Sequence, residues 1–151
     1  MNGLWACVHR GFLRITDGTW DGVLESGALF QRAAELDPNL PHASAGCAIF
    51  EILKLTFLGC AQLAAGRVDD SMLSLEQSRR VAPDQPHSYP LLAVGHVIRD
   101  EMDAAHERIA KLREVSPHYS PRAHARRFAP PEALEGYMAT LAVLGWQEPG
   151  E

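Results

Sequence analysis

Apolar residues recur every three or four positions along most of this chain, which is the spacing of a helix with one buried face. The clearest stripe runs through Val23, Gly27, Phe30 and Ala34. Sustained alternation of apolar and polar residues, which indicates a strand, is missing, and so are the Asn-Gly and Asp-Gly turns of β-hairpins. The pattern therefore predicts an all-α protein.

Prolines and helix-capping residues divide the sequence into about eight helices. Ser120 followed by Pro121 is a strong start signal, and Gly145 is a predicted C-cap. Thr19 or Asp17 caps the second helix, and the third helix has a predicted break near Gly59. The predicted helices are Leu4–Ile15, Trp20–Leu36, His42–Ala65, Val68–Ala82, Tyr89–Arg99, Glu101–Val115, a seventh that starts at Ser120, and Pro131–Leu144.

Three helix ends resemble one another, and their spacing indicates an internal repeat. Each ends in proline, at Pro38, Pro83 and Pro117. The last two are 34 residues apart (117 − 83), a helical-repeat period, and the first two are 45 apart (83 − 38). We assign the surplus to the long third helix and the stretch after it. Each repeat carries a stripe of small and large apolar residues: Ser26–Phe30–Ala33, Ser71–Leu75–Ser78 and Ala105–Ile109–Leu112.

These segments resemble the tetratricopeptide repeat (TPR). Ala28 to Pro38 (ALFQRAAELDP) is similar to the end of a TPR motif, and Gly66–Pro83 and Tyr89–Pro117 resemble weaker copies. The stretch Ser116 to Trp146 looks like the tail of the C-terminal TPR region in bacterial class III adenylate cyclases and winged-helix regulators.

The resemblance implies a single TPR-like domain over residues 1–151. Its antiparallel helix pairs would stack into a short right-handed superhelix, because one pair cannot bury its apolar face alone. We expect about three TPR-like pairs, with residues 116–146 as a divergent C-terminal capping pair. The resemblance implies a scaffold and carries over no cyclase activity, because the catalytic or DNA-binding domain that precedes such tails is absent from the sequence.

Charge and composition narrow the classes of partner. The net charge of −5 offers no general attraction to nucleic acid or to an anionic membrane. The most apolar stretch, residues 43–65, contains Glu51 and Lys54 and is interpreted as a long, mostly buried helix. Three cysteines without a CxxC pair favour buried thiols in a reducing compartment. We therefore predict a cytoplasmic protein.

Catalytic and metal-binding patterns are weak. His96, Asp100, Asp103 and His106 are the nearest approach to a metal cluster, but they lack the spacing of a zinc helix and are better explained as surface turn residues. No GxSxG elbow or phosphate-binding loop is present. The prediction is a protein that is not an enzyme and holds no cofactor or metal.

Two groups of residues are candidates for partner binding. If Pro117 sets the register, the concave groove of the third unit includes His87, Val94 and Val97. The segment from Ser120 to Phe128 contains no acid, and its arginines could bind an acidic peptide or a phosphate group. We favour the simpler explanation that these arginines form a solvated face of the seventh helix. They are Arg122, Arg126 and Arg127.

The sequence leaves three functions open. The first is a non-catalytic scaffold that binds a peptide or helix of another protein. The second is a regulatory tail that acts as a homodimer, with Trp146 covering an apolar end or joining the dimer contact. The third is a helical protein that binds a small molecule or is catalytic, which a deep pocket with a histidine–carboxylate pair would indicate.

Overall fold

A computed structural model describes residues 3–127 and 129–150. Within those residues it contains eight helices and no strand, which confirms the all-α prediction. The helices are α1 (Gly3–Thr16), α2 (Trp20–Leu36), α3 (Pro41–Ala64), α4 (Val68–Val81), α5 (Ser88–Ile98), α6 (Met102–Val115), α7 (Pro121–Ala125) and α8 (Pro131–Val143).

The predicted capping residues start two of these helices. The Thr19 hydroxyl accepts a hydrogen bond from the backbone N–H of Gly22 at 3.1 Å. The Ser120 hydroxyl accepts one from the N–H of Ala123 at 2.9 Å. Each bond satisfies an N–H that has no partner within its own helix, so both starts follow from local chemistry.

Glycines and one aspartate close other helices. Gly66 and Gly145 have φ angles of 75° and 73°, a left-handed conformation that favours glycine. Asp100 adopts φ 60° in the turn between α5 and α6.

Gly59, by contrast, does not break α3. Its backbone lies close to the side chain of Leu75, so the absent side chain serves a close helix contact.

The chain divides into two compact units, Met1–Phe57 and Leu58–Glu151, and the division falls within α3. The single domain over residues 1–151, its capping pair at 116–146 and the right-handed superhelix stay predictions. We refer to the two parts as unit 1 and unit 2 and describe each by itself.

Unit 1 is built on the packing of α1 against α2 and on close contacts of α2 with the first half of α3. Phe30 is fully buried, and its ring lies against Gly11 and Gly46. The ring of Phe12 meets it edge to face at 4.9 Å between centroids. Ala33 and Ala43 add a small cluster with Val8.

Unit 2 is organised around α5, which packs against α4, α6 and α8. Residues 88–96 of α5 are all buried. The Tyr89 hydroxyl donates a hydrogen bond to the carbonyl oxygen of Pro83 at 2.6 Å, which ties α5 to the end of α4. Glu76 of α4 joins Arg108 of α6 at 2.8 Å. The main core cluster contains Tyr89, Ala93, Val94, Ala105, Ile109, Leu112, Ala125, Leu134, Met138, Leu141, Leu144 and Trp146.

The repeated stripes identified in the sequence are all buried. None of their nine residues is more than 1% exposed. The stripe of Ser26 lies in unit 1, and those of Ser71 and Ala105 lie in unit 2. Periodicity therefore located the buried face of three helices correctly.

Helix α3 is less buried than predicted. Only 17% of its most apolar 18-residue stretch is buried, whereas we expected most of the helix to be covered. Within the described residues it is the one helix that is long and apolar enough to cross a membrane. Glu51 and Lys54 form an ion pair of 2.6 Å on it, and such charges are rare in a bilayer span. This is compatible with a soluble protein.

Candidate binding site

Unit 2 contains an apolar cavity of about 260 Å³ beside α5 and α8. Leu91, Val94 and Ile98 of α5 line it, and Ala133 and Tyr137 of α8 do so as well. The remaining lining residues are Cys60, Leu63, Ala64, His87, His124, Ala125, Ala129, Gly136 and Thr140. None of these fourteen residues is an acid, a lysine or an arginine, so the cavity offers a ligand an apolar and uncharged surface.

Two histidines and a tyrosine form a polar cluster at this cavity. The imidazole rings of His87 and His124 stack with centroids 4.3 Å apart. The Nδ1 atom of His87 lies 3.2 Å from the hydroxyl oxygen of Tyr119, within hydrogen-bonding distance. The Tyr119 ring also contacts the His124 ring at 5.9 Å. The cluster can donate and accept hydrogen bonds at the edge of an otherwise apolar space.

Burial keeps these histidines neutral. It lowers the pKa of His87 and lowers that of His124 to about 4, with smaller contributions at His124 from His87 and Arg127. Both imidazoles are therefore uncharged near pH 7. A neutral imidazole carries one donor and one acceptor nitrogen, so each ring can serve either role.

The other titratable groups at the cavity are neutral as well. Burial raises the pKa of the Tyr119 and Tyr137 hydroxyls, and a smaller effect of Glu148 acts in the same direction. Burial also raises the pKa of the Cys60 thiol. A protonated thiol is a weak nucleophile, so the arrangement is suited to binding through shape and hydrogen bonds.

The structure brings together two of the three predicted groove residues. His87 and Val94 both line the cavity. Val97 is placed elsewhere, half-buried against the main core cluster of unit 2. Nine of the eleven residues of α5 are buried, so the helix leaves only part of its surface for a ligand.

The predicted arginines have different surroundings. The guanidinium of Arg122 forms a 2.9 Å ion pair with Glu135 of α8. Glu135 lies outside the segment from Ser120 to Phe128, so the absence of acids within that segment did not predict this partner. Arg122 and Arg126 border a shallow depression with Pro131. Arg126 and Arg127 are exposed, and in residues 3–127 and 129–150 no ion pair involves them. Phe128, which ended the predicted basic segment, lies outside the described residues.

No protein-family model matches the sequence, and no curated protein matches it. The residues of this chain alone therefore define the candidate site.

Sequence reasoning had missed most of the cavity. Cys60 and Tyr137 of the wall and Tyr119 of the polar cluster come from three separate parts of the chain. His124 was predicted only as a member of the basic segment. No local spacing links these positions, because the packing of α5 with α8 brings them together. The sequence did contain one signal for this site. The apolar run at residues 89–94 indicates a buried segment close to His87.

The structure does not bring His96, Asp100, Asp103 and His106 together as a metal site. Among the described residues, no three histidine, cysteine or acidic side chains are placed to hold a metal ion together. The Nδ1–H of His96 donates to Glu101 at 2.6 Å, and that of His106 donates to the carbonyl oxygen of Met102 at 2.8 Å. His96 is buried, so its interpretation as a surface turn residue was wrong. The carboxylate of Glu101 supplies the partner that makes this burial possible.

Trp146 covers an apolar end of unit 2. Its ring joins the main core cluster, and the Arg113 guanidinium lies 5.8 Å from the ring centroid. The indole N–H donates to Glu148 at 3.4 Å. Of the two predicted roles, covering the core accounts for this packing, and the buried ring leaves little surface for a dimer contact.

Proposed function

We propose that this protein is a non-catalytic, TPR-like interaction module that binds a peptide or helix of another protein. The observation that carries the proposal is the apolar cavity of unit 2, which includes His87 and Val94 of the predicted groove. Binding pockets for peptide segments are apolar spaces that receive one or a few anchoring side chains. A cytoplasmic location is part of the proposal and is supported by three cysteines that form no disulfide.

The chemistry around the cavity specifies the partner segment further. His124 and Ala129 line the cavity and flank Arg126 and Arg127 in the sequence. These two arginines are exposed, so they can pair with carboxylates without breaking an ion pair within the described chain. We therefore expect a segment that has an apolar anchor with acidic residues nearby.

Capture from host lysate with mass spectrometric detection tests this function. The wild type is compared with two variants, Arg126→Glu/Arg127→Glu and Gly136→Leu. The second variant adds a large side chain to the cavity wall, where a Cβ at residue 136 meets no atom within 4 Å. The wild type should retain a saturable partner. Either variant should reduce the affinity for that partner at least about tenfold, which corresponds to a loss of ~1.4 kcal/mol of binding free energy.

A matched control makes the charge test specific. Arg10→Glu/Arg32→Glu changes the net charge by the same amount in unit 1, where both arginines form exposed ion pairs. Exposed pairs contribute little stability, so this variant should fold. Equal loss of the partner in both double variants would show that the net charge of the protein, and not the position of Arg126 and Arg127, causes the loss. A partner retained by all variants would contradict the proposed site.

A homodimeric regulatory tail is the second candidate. It is supported by exposed apolar side chains on α1 of unit 1, namely Trp5, Phe12 and Leu13. Clustered exposed apolar residues often mark an interface. Sedimentation equilibrium of the wild type and of Leu13→Glu tests this idea. A dimer that the substitution dissociates would support it, and a monomer at high concentration would contradict it.

A further inference from the structure

We infer that the cavity of unit 2 is a binding site for one uncharged, apolar small molecule. The walls of the cavity, the absence of charge in them and the space that they enclose support this assignment. Such binding goes beyond the capture of a partner and does not depend on it, because the purified chain should bind the ligand with no second protein present.

Small residues occupy much of the face of α8 that borders the cavity. Ala133, Gly136 and Thr140 line it, and they are three and four positions apart, so they lie on the same side of the helix. A Cβ at residue 136 would meet no atom within 4 Å. This side of α8 therefore leaves room for a ligand.

Aliphatic side chains of α5 make the cavity suitable for an apolar body. Leu91, Val94 and Ile98 line it with surface that gains free energy when a ligand displaces water from it. The volume of the cavity is about 260 Å³. An apolar protein cavity of about 150 Å³ holds benzene, so by proportion this one holds roughly ten carbon atoms.

The cavity provides no charged partner for an acid or for an amine. None of its fourteen lining residues is an aspartate, a glutamate, a lysine or an arginine. An ionic group that entered would lose its hydration without gaining a counter-charge, which is unfavourable for a charge of either sign. An uncharged molecule avoids this loss, so the lining favours it over both kinds of ion.

The titratable side chains of the lining supply no charge either. Burial lowers the pKa of His87 and lowers that of His124 to about 4, so both rings are neutral at pH 7.5. Burial raises the pKa of the Cys60 thiol and of the Tyr137 hydroxyl, so both stay protonated. The whole lining is therefore uncharged at this pH.

Two charged residues act on lining groups without lining the cavity themselves. Arg127 contributes to the low pKa of His124, and Glu148 contributes to the high pKa of Tyr137. Neither residue belongs to the lining, and their charges are opposite in sign. They therefore select neither an anion nor a cation.

Three compounds with the same ten-carbon cage test the assignment: adamantan-1-ol, adamantane-1-carboxylate and adamantan-1-ylammonium. The full chain is titrated with each compound by isothermal titration calorimetry at pH 7.5, where only the alcohol is uncharged. We expect the alcohol to bind one-to-one and at least about tenfold more tightly than either ion. A smaller difference, tighter binding of an ion or no binding of the alcohol would overturn the assignment.

Variants of α8 locate the alcohol in the cavity. Gly136→Leu and Ala133→Leu each add a large side chain to the lining and should weaken binding of the alcohol at least about tenfold. Ala139→Leu adds the same side chain outside the lining and should leave the affinity unchanged. All three positions are exposed, so the variants should fold, which circular dichroism verifies. Undiminished binding in both cavity variants would refute the site.

A charge placed in the lining should change the preference among the three compounds. Ala133→Asp supplies a counter-charge for a cation, so the affinity for the ammonium relative to the alcohol should rise at least about tenfold. Ala139→Asp makes the same change in net charge outside the lining and should keep the wild-type ratio. An unchanged ratio in Ala133→Asp would contradict the role of the uncharged lining.

Discussion

His87 and His124 stack their imidazole rings with centroids 4.3 Å apart and an angle of 23° between the planes. The first ring precedes α5 and the second belongs to α7, so the contact joins two segments of unit 2. Two neutral rings stack readily, whereas two imidazolium ions at this distance repel each other. The pair therefore makes the stability of unit 2 dependent on protonation.

The free energy of unfolding should fall on acidification. Burial lowers the pKa of folded His124 to about 4, whereas histidine in an unfolded chain titrates near 6.5. Between these values the unfolded chain binds a proton that the folded chain does not, so folding loses stability as the pH drops, and above 6.5 the contribution is complete and constant. His87 acts in the same direction. Urea unfolding at pH 7 and pH 4.5 should differ by on the order of 2 kcal/mol.

His124→Gln isolates this effect from the titration of carboxylates. The variant should show a shallower loss of stability between pH 7 and pH 4.5 than the wild type. His118→Gln, at an exposed position, should follow the wild-type curve. Identical pH dependence in His124→Gln and the wild type would show that the buried ring does not control acid stability.

Two glycine-to-alanine substitutions should have opposite effects on thermal stability. A Cβ at Gly136 of α8 meets no atom within 4 Å, and alanine is favoured over glycine inside a helix by about 1 kcal/mol. Gly145 has φ 73°, which disfavours alanine by about 1 kcal/mol or more. Calorimetry should give a Tm rise of about 2–4 °C for Gly136→Ala and a fall for Gly145→Ala. A change of the same sign in both would refute this explanation.

Gly59→Ala should destabilise unit 2 although it replaces a helical glycine. A Cβ at residue 59 would lie 2.6 Å from the Cγ atom of Leu75, which is fully buried. Overpacking costs about 1–3 kcal/mol, which exceeds the propensity gain of about 1 kcal/mol. Chemical denaturation should therefore show a lower free energy of unfolding.

A double-mutant cycle with Leu75→Ala identifies the cause. If the clash with Leu75 is responsible, Gly59→Ala should destabilise the wild type more than it destabilises the Leu75→Ala background. Equal effects in both backgrounds would assign the loss to another contact. Gly136→Ala provides the control for helix propensity, because its Cβ meets no neighbour.

The helices and their buried faces could be predicted from the sequence because they depend on residues that are close together in the chain. The spacing of Ser71, Leu75 and Ser78 within α4 is sufficient to define one face, and Thr19 and Ser120 cap helices through bonds to residues three positions away. The break predicted at Gly59 was wrong because a glycine looks the same whether it ends a helix or admits a neighbour.

The cavity could not be predicted in the same way. Its polar cluster joins residues 87, 119 and 124, and its wall includes Cys60 and Tyr137. These positions share no helical spacing, and the pairing of α5 with α8 determines which of them meet. The repeat register set by Pro117 predicted three groove residues. His87 and Val94 line the cavity, whereas Val97 packs against the core, and the register alone does not distinguish these positions.

The tryptophans give the two units different optical properties. Trp5 and Trp20 of unit 1 are 39% and 42% exposed, whereas Trp146 of unit 2 is 7% exposed. Indole emission shifts to longer wavelength when the ring meets water, so unfolding of unit 2 should produce the larger spectral shift. Unfolding of unit 1 should chiefly change the emission at longer wavelength. The chain thus carries a natural fluorescent reporter in each unit, and one denaturation series records the unfolding of both without an added label.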